Sequence, residues 1–348
     1  MKNRKADLTQ ALQEATSIVG DTFVVDEQAL ELSGLGIKST SITIFQALGG
    51  FIASLAFLGL MFTINIYKHP AVVLIIGIPL VLLSILQGKL QKVHIPDTVG
   101  VFFFIAGCFL TIYGVSLYNI DSNILIGLVM LISTATLSLS ENKIVVFSSV
   151  LLFFGSLIAF MLENDWVNGI HVVSNLSLAM ALFLYHKESE TLFARNRLSQ
   201  LMPSMAYASA IASLITFQII ALPSMLKIHP HFLWLSSLAP LSVSLFLIYQ
   251  NTMGNRLVVI IAFVLLAAPS IFAPAIIGSM AILLLGFGYR NNGLMIIGIL
   301  SCIQTTIQFY YDLKFTLLEK SIMMMAIGAL LMVAYWAFVK HIRANENR

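Results

Sequence analysis

The chain of 348 residues is 59% hydrophobic and only 10% charged, with a formal net charge of +3 at pH 7. Soluble domains are about 45–50% apolar and about 25% charged, so this composition excludes an ordinary water-soluble protein. The low charge also excludes a nucleic-acid-binding protein, which needs a basic face. Cys108 and Cys302 lie inside apolar runs without the spacing of metal ligands. The sequence therefore predicts no disulfide framework, no metal site and no cofactor.

The residues before the first apolar run are polar and carry mixed charges. Within this stretch Leu8, Leu12, Ala15 and Val19 fall on one face of a helix. We predict a small cytoplasmic helical prologue over residues 1–42, with a docking element as the alternative interpretation.

Long apolar runs fill the rest of the chain. A membrane-spanning helix requires about 20 apolar residues, within a range of about 17–25. The runs are continuous and lack the alternation of barrel strands, so they predict an all-α integral membrane protein. Twelve spans are predicted at residues 43–66, 70–87, 98–118, 122–140, 143–161, 167–185, 203–222, 231–250, 256–271, 273–289, 293–310 and 320–339.

The weakest boundary lies within residues 256–289, where Pro269 and Pro274 bracket a short apolar stretch. We interpret this stretch as a tight turn between two short spans, since proline disrupts a helix interior. A single interrupted helix, which is the alternative, would leave eleven spans.

The distribution of lysine and arginine predicts the orientation of the spans. If the N-terminus is cytoplasmic and the spans alternate, 15 of the 19 basic residues fall on the cytoplasmic side and four on the far side. Cytoplasmic connections of membrane proteins carry this excess of positive charge. Both termini are therefore predicted to be cytoplasmic.

Two pairs of prolines, each separated by nearly the same number of residues, favour an internal duplication. His69-Pro70 and His229-Pro230 are 160 residues apart, and Pro79 and Pro240 are 161 residues apart. Transporters are often built from two related halves. We therefore predict a 6+6 parallel repeat, with the first half at 43–186, a cytoplasmic linker at 187–202, the second half at 203–340 and a tail at 341–348.

Hydroxyl and amide groups, rather than carboxylates, occupy the predicted spans. All 16 Asp and Glu residues lie in connections, in the tails or at interfacial ends, which disfavours a mechanism driven through a midplane carboxylate. A polar path is predicted in the eleventh span from Ser301, Gln304, Thr305 and Gln308. Stripes such as Ser209, Ser213 and Thr216 have a second interpretation, because small polar residues also hydrogen-bond neighbouring helices.

The predicted outer side carries the densest group of polar side chains. We predict a docking surface or mouth formed by Tyr311, Asp312, Glu319, Lys320, Glu163, Asp165 and His171. Helix capping by the Thr316–Glu319 box and anchoring of the aromatic residues at the interface are the alternative roles. Carboxylates near a histidine also suit hydrolysis or group transfer, although no spacing specifies either reaction.

The stretch from Phe309 to Ser321, FYYDLKFTLLEKS, leads into Gly328, and the first span contains the Gly49-Gly50 pair. With these motifs the chain resembles bacterial multispanning membrane proteins of domain of unknown function 4401. The resemblance implies an inner-membrane location and a membrane-anchored partner that carries a GDYXXLXY domain, often encoded beside it. It implies no catalytic or binding residues.

Three functions remain open at this stage. The first is a partner-dependent membrane component of an envelope system, in contact with the lipid bilayer and without a nucleic-acid partner. The second is a permease-like transporter of a small or lipid-linked solute. The third is an intramembrane enzyme that uses Glu163, Asp165 and His171. This function has the least support, so we predict that the protein is not an enzyme.

Overall fold

The computed structural model describes residues 36–87, 97–191, 197–220, 233–251 and 273–312, with isolated positions at 318, 319, 321, 322 and 325. Within these ranges every regular element is helical and no strand occurs. The described residues contain ten α-helices of 14 residues or more. They are α1 Gly36–Thr63, α2 Pro70–Leu86, α3 Asp97–Ser116, α4 Ser122–Leu139, α5 Lys143–Glu163, α6 Ile170–Thr191, α7 Arg197–Ile220, α8 Leu238–Asn251, α9 Pro274–Gly288 and α10 Asn292–Asp312.

Seven of these helices, α1, α3 to α7 and α10, are long and apolar enough to cross a membrane, and α2, α8 and α9 are shorter apolar helices. The ten helices match ten of the twelve predicted spans, which confirms the all-helical class and the apolar character. The predicted span at 256–271 lies outside the described residues, as does 320–339 apart from isolated positions. The count of twelve, the orientation and the repeat therefore stay predictions, as do the domain boundaries.

Asn, Asp and Pro residues lie where several of the helices begin. The Asp121 carboxylate accepts from the Asn123 backbone N–H at 2.7 Å, and the Asn142 side chain accepts from the backbone N–H groups of Ile144 and Val145 at 2.9 and 3.2 Å. These bonds satisfy amide groups that lack a partner within the helix. Pro274 begins α9, as the turn interpretation of this region requires.

Glycines bring two helix hairpins into close contact. A Cβ added at Gly107 of α3 would lie 2.7 Å from the Val81 backbone nitrogen of α2, and one at Gly298 of α10 would lie 2.7 Å from the Leu283 Cα of α9. Gly50 of α1 likewise packs against the backbone oxygen of Thr98, which explains one member of the Gly49-Gly50 pair. Without a hydrophobic drive between helices in lipid, such close backbone approach is a main source of association.

Helix α7 joins the two predicted halves, because it packs on α5 as well as on α6 and α9. Its buried face carries Ser209, Ser213 and Thr216, whose hydroxyls all donate to carbonyl oxygens one turn earlier in the same helix. These residues do not form the bonds between helices that one interpretation of the stripes expected. Their small size lets the helices approach, and the carbonyl of the preceding turn is the nearest acceptor.

Candidate functional site

The predicted polar path in α10 divides between two faces of the helix. Ser301 and Thr305 are buried, and the Ser301 hydroxyl forms a 2.8 Å hydrogen bond with that of Ser279 in α9. Gln304 is exposed, and Gln308 is half-buried. The four residues span about 100° of the helix at about 100° per residue, and Gln304 and Thr305 lie at opposite edges of this arc.

Gln304 lies near the middle of α10 among the exposed apolar residues Leu300, Ile303 and Ile307. The opposite face of the helix, which includes Leu294, Ser301 and Thr305, is buried. The structure therefore places this amide on the outer surface of the described helices. The role of the four residues as a path stays a prediction.

The predicted outer group is also divided by exposure. Glu163 and Asp165 are exposed at the end of α5, where Asp165 adopts a left-handed backbone conformation with φ of 56°. Trp166 follows them with 61% of its surface exposed and contacts the Phe160 ring edge to face. At the end of α10, Tyr311 is 75% exposed.

Three further members of the group are described to different extents. Glu319 is exposed, whereas the side chains of Asp312 and Lys320 lie outside the described residues. The docking or mouth role of the group stays a prediction.

His171 differs from the other members because it is fully buried in the first turn of α6. Neither of its ring nitrogens has a hydrogen-bond partner. Leaving a buried polar group unsatisfied costs about 1–3 kcal/mol. The sequence placed His171 near the outer end of the predicted span at 167–185 and in the outer polar group. In the structure α6 begins at Ile170, and the imidazole is buried.

Asn175, one turn after His171, was not predicted and links α6 to the start of α8. Its side-chain amide donates to the Leu235 carbonyl at 2.6 Å, and its amide oxygen accepts from the Ala239 backbone N–H at 3.0 Å. Both backbone groups are freed by the break between the short turn Leu233–Ser236 and α8. The presence of an asparagine inside an apolar span was the sequence feature that could have indicated this link between helices.

Three tyrosines gather at the opposite end of the same helices. The rings of Tyr185 and Tyr289 stack with centroids 5.5 Å apart, and the Asn291 amide donates to the Tyr185 hydroxyl at 3.4 Å. A Cβ added at Gly293 would lie 2.8 Å from the Tyr207 hydroxyl oxygen. The Tyr289 hydroxyl has no hydrogen-bond partner.

Arg197, at the start of α7, caps the C-terminal end of α4. Its guanidinium donates to the Ser138 carbonyl at 2.5 Å and to the Ser140 carbonyl at 2.7 Å, with a longer bond of 3.4 Å to the Leu137 carbonyl. These carbonyls have no partners within the helix and carry its partial negative charge, so a cation is favourable there.

In the described part of the chain no group of three or more His, Cys, Asp or Glu side chains could hold a metal ion. Cys108 is buried and Cys302 is half-buried, and both are free thiols.

Comparison with known proteins gives one finding. The family model described as Domain of unknown function (DUF4401) matches residues 40–341, which is most of the chain. No curated protein matches the chain significantly, and no solved structure does.

Proposed function

This chain belongs to the DUF4401 family, and we propose that it is the multispanning membrane component of a partner-dependent envelope system. The observation that carries the proposal is the exposed amide of Gln304 near the middle of α10. In the proposed arrangement the chain crosses the bacterial inner membrane twelve times as a 6+6 repeat, with both termini in the cytoplasm. The proposed partner is a membrane-anchored protein of the GDYXXLXY type.

An amide that faces hydrocarbon lacks the hydrogen bonds that water would supply, and each such group costs several kcal/mol. The exposed neighbours Leu300, Ile303 and Ile307 form an apolar stripe around Gln304. A transmembrane helix that covers this stripe would both bury the apolar side chains and bond the amide. Hydrogen bonds between membrane helices contribute about 0.6–2 kcal/mol each.

Exposed residues at the predicted outer side also support a partner-binding role. Tyr311 follows Gln304 by two turns on the exposed face of α10. Glu163, Asp165 and Trp166 supply charge and an aromatic ring at the end of α5. Exposed aromatic residues are enriched where proteins bind one another.

Site-specific photo-cross-linking in native membranes tests this proposal. A photoreactive residue at position 304 should give a discrete adduct with one membrane protein. The control is Phe183, an exposed apolar residue of α6, where the same probe should give only lipid adducts. Lipid adducts alone at position 304 would contradict the proposal.

A permease-like transporter is the second candidate, favoured by polar side chains that are buried without partners. Besides His171, the amide nitrogen and oxygen of Gln218 in α7 are buried and lack hydrogen bonds. Polar groups retained in this way inside a membrane protein often mark a solute pathway.

Thiol labelling separates this candidate from the first. Cysteines at positions 304 and 308, in a protein lacking Cys108 and Cys302, should both react with water-soluble reagents if a hydrated path follows α10. Protection of both cysteines in all conditions would exclude that path.

A further inference from the structure

A shallow groove follows one face of α4 toward the end that Arg197 closes. It has a volume of about 490 Å³ and is lined by Met130, Leu131, Thr134, Ala135 and Ser138. The lining residues recur one helical turn apart, and the small side chains Thr134, Ala135 and Ser138 lie nearest Arg197.

The wall of the groove is apolar where it faces the membrane. Leu131 is 65% exposed, and the exposed Thr134 uses its hydroxyl to donate to the Met130 carbonyl of the same helix at 2.7 Å. The surface suits a hydrocarbon chain better than a polar solute.

The length of the groove matches one leaflet of a bilayer. It covers the half of α4 nearest Arg197, from residue 130 to residue 138, which is about 12 Å of helix at about 1.5 Å per residue. One leaflet contributes about half of the ~30 Å hydrocarbon core. A chain lying in the groove would therefore have its polar end at the level of Arg197.

Arg197 provides a positive charge at this end. Its guanidinium bonds the carbonyl of Ser138, the groove residue nearest the end of α4, and remains exposed. Of its five N–H donors, three bond the carbonyls of α4, which leaves two. A helix end carries only about half a negative charge, so a net positive charge remains. Glu141 in the next connection and Lys143 at the start of α5 are both exposed and carry opposite charges.

From these observations we propose that the α4 groove and Arg197 form a binding site for an anionic phospholipid. One acyl chain lies on Met130, Leu131, Thr134 and Ala135, and the phosphate accepts hydrogen bonds from Arg197. The site goes beyond the proposed partner surface on α10 and does not depend on it. The predicted orientation places it in the cytoplasmic leaflet, where basic pockets between membrane helices bind anionic headgroups.

Native mass spectrometry of the purified full chain, titrated with phosphatidylglycerol or phosphatidylcholine, tests the site. The wild type should bind phosphatidylglycerol at least about tenfold more tightly, which corresponds to about 1.4 kcal/mol. Arg197→Gln should remove this preference, and Ala135→Phe, which fills the groove and keeps the arginine, should weaken both lipids. Arg290→Gln is the control, because Arg290 is also exposed but lies in the turn between α9 and α10.

Three results would overturn the proposal. One is an unchanged affinity of Ala135→Phe for both lipids, a result that stays informative even if Arg197→Gln fails to fold. Another is competition by inorganic phosphate at the concentrations where the lipid binds, which would indicate a simple anion site. The third is a photoreactive residue at Leu131 that yields a protein adduct instead of a lipid adduct.

Discussion

Replacement of the contact glycines by alanine offers a quantitative test of the helix packing. At Gly107 the new Cβ would lie 2.7 Å from the Val81 backbone nitrogen, against an ordinary contact distance of at least 3.4 Å. Helices α2 and α3 would have to separate by about 0.7 Å, since a backbone atom cannot turn aside. Gly298→Ala makes the same demand on α9 and α10, where the nearest atom is the Leu283 Cα at 2.7 Å.

The chain contains matched controls for these substitutions. Gly127 in α4 and Gly155 in α5 are also inside helices, but no atom lies within 4 Å of an added Cβ. Alanine is favoured over glycine in a helix by about 0.8–1 kcal/mol at all four sites, so this gain cancels in the comparison. Overpacking costs about 1–3 kcal/mol. The contact variants should therefore unfold with a free energy about 1–3 kcal/mol lower than the control variants.

Equilibrium unfolding of the purified protein from mixed micelles by a denaturing detergent measures this difference. Gly107→Ala and Gly298→Ala should unfold at lower detergent fractions than the wild type, and Gly127→Ala and Gly155→Ala should not. Equal free energies of unfolding in the two groups would refute the proposed close packing of these hairpins.

The polar groups inside α6 and at its ends give three further predictions, all measured as free energies of unfolding by the same method. His171→Leu should stabilise the protein by about 1 kcal/mol, because it removes buried nitrogens without partners; a loss of stability would show that the imidazole holds an interaction. Asn175→Leu should destabilise it by about 1–3 kcal/mol, because the backbone groups of Leu235 and Ala239 on either side of the start of α8 lose their partner, and an unchanged value would contradict that link. Tyr185→Phe should cost more than Tyr289→Phe, because only the Tyr185 hydroxyl accepts a bond from Asn291; equal costs would argue against this bond.

Hydropathy alone predicts the helices because a membrane span must satisfy its backbone internally and bury its side chains in lipid or protein. The predicted span at 122–140 and helix α4, Ser122–Leu139, differ by one residue at one end. The largest shifts occur where polar residues continue a helix beyond the apolar run. Helix α7 begins at Arg197 rather than at residue 203, because its first turn lies outside the apolar run and Arg197 bonds the end of α4.

The candidate sites were less predictable, since spacing fixes an angle around a helix but not which neighbour lies there. Ser301 and Gln304 belong to one polar stripe in the sequence, yet Ser301 contacts α9 and Gln304 is exposed. His171 could not be recognised as buried because its environment depends on the packing of α6. The contact of Arg197 with α4 joins residues 57–60 positions apart, which no local pattern reveals.

Recovery of the partner from native membranes tests the central claim most directly. The wild type, extracted in mild detergent, should co-purify with one membrane-anchored protein in stoichiometric amount. Gln304→Leu should weaken this association about 3- to 30-fold, the range expected for one hydrogen bond between membrane helices, and Phe183→Leu should leave it unchanged. A protein recovered alone with a bound solute, or equal recovery of the partner by Gln304→Leu, would contradict the account.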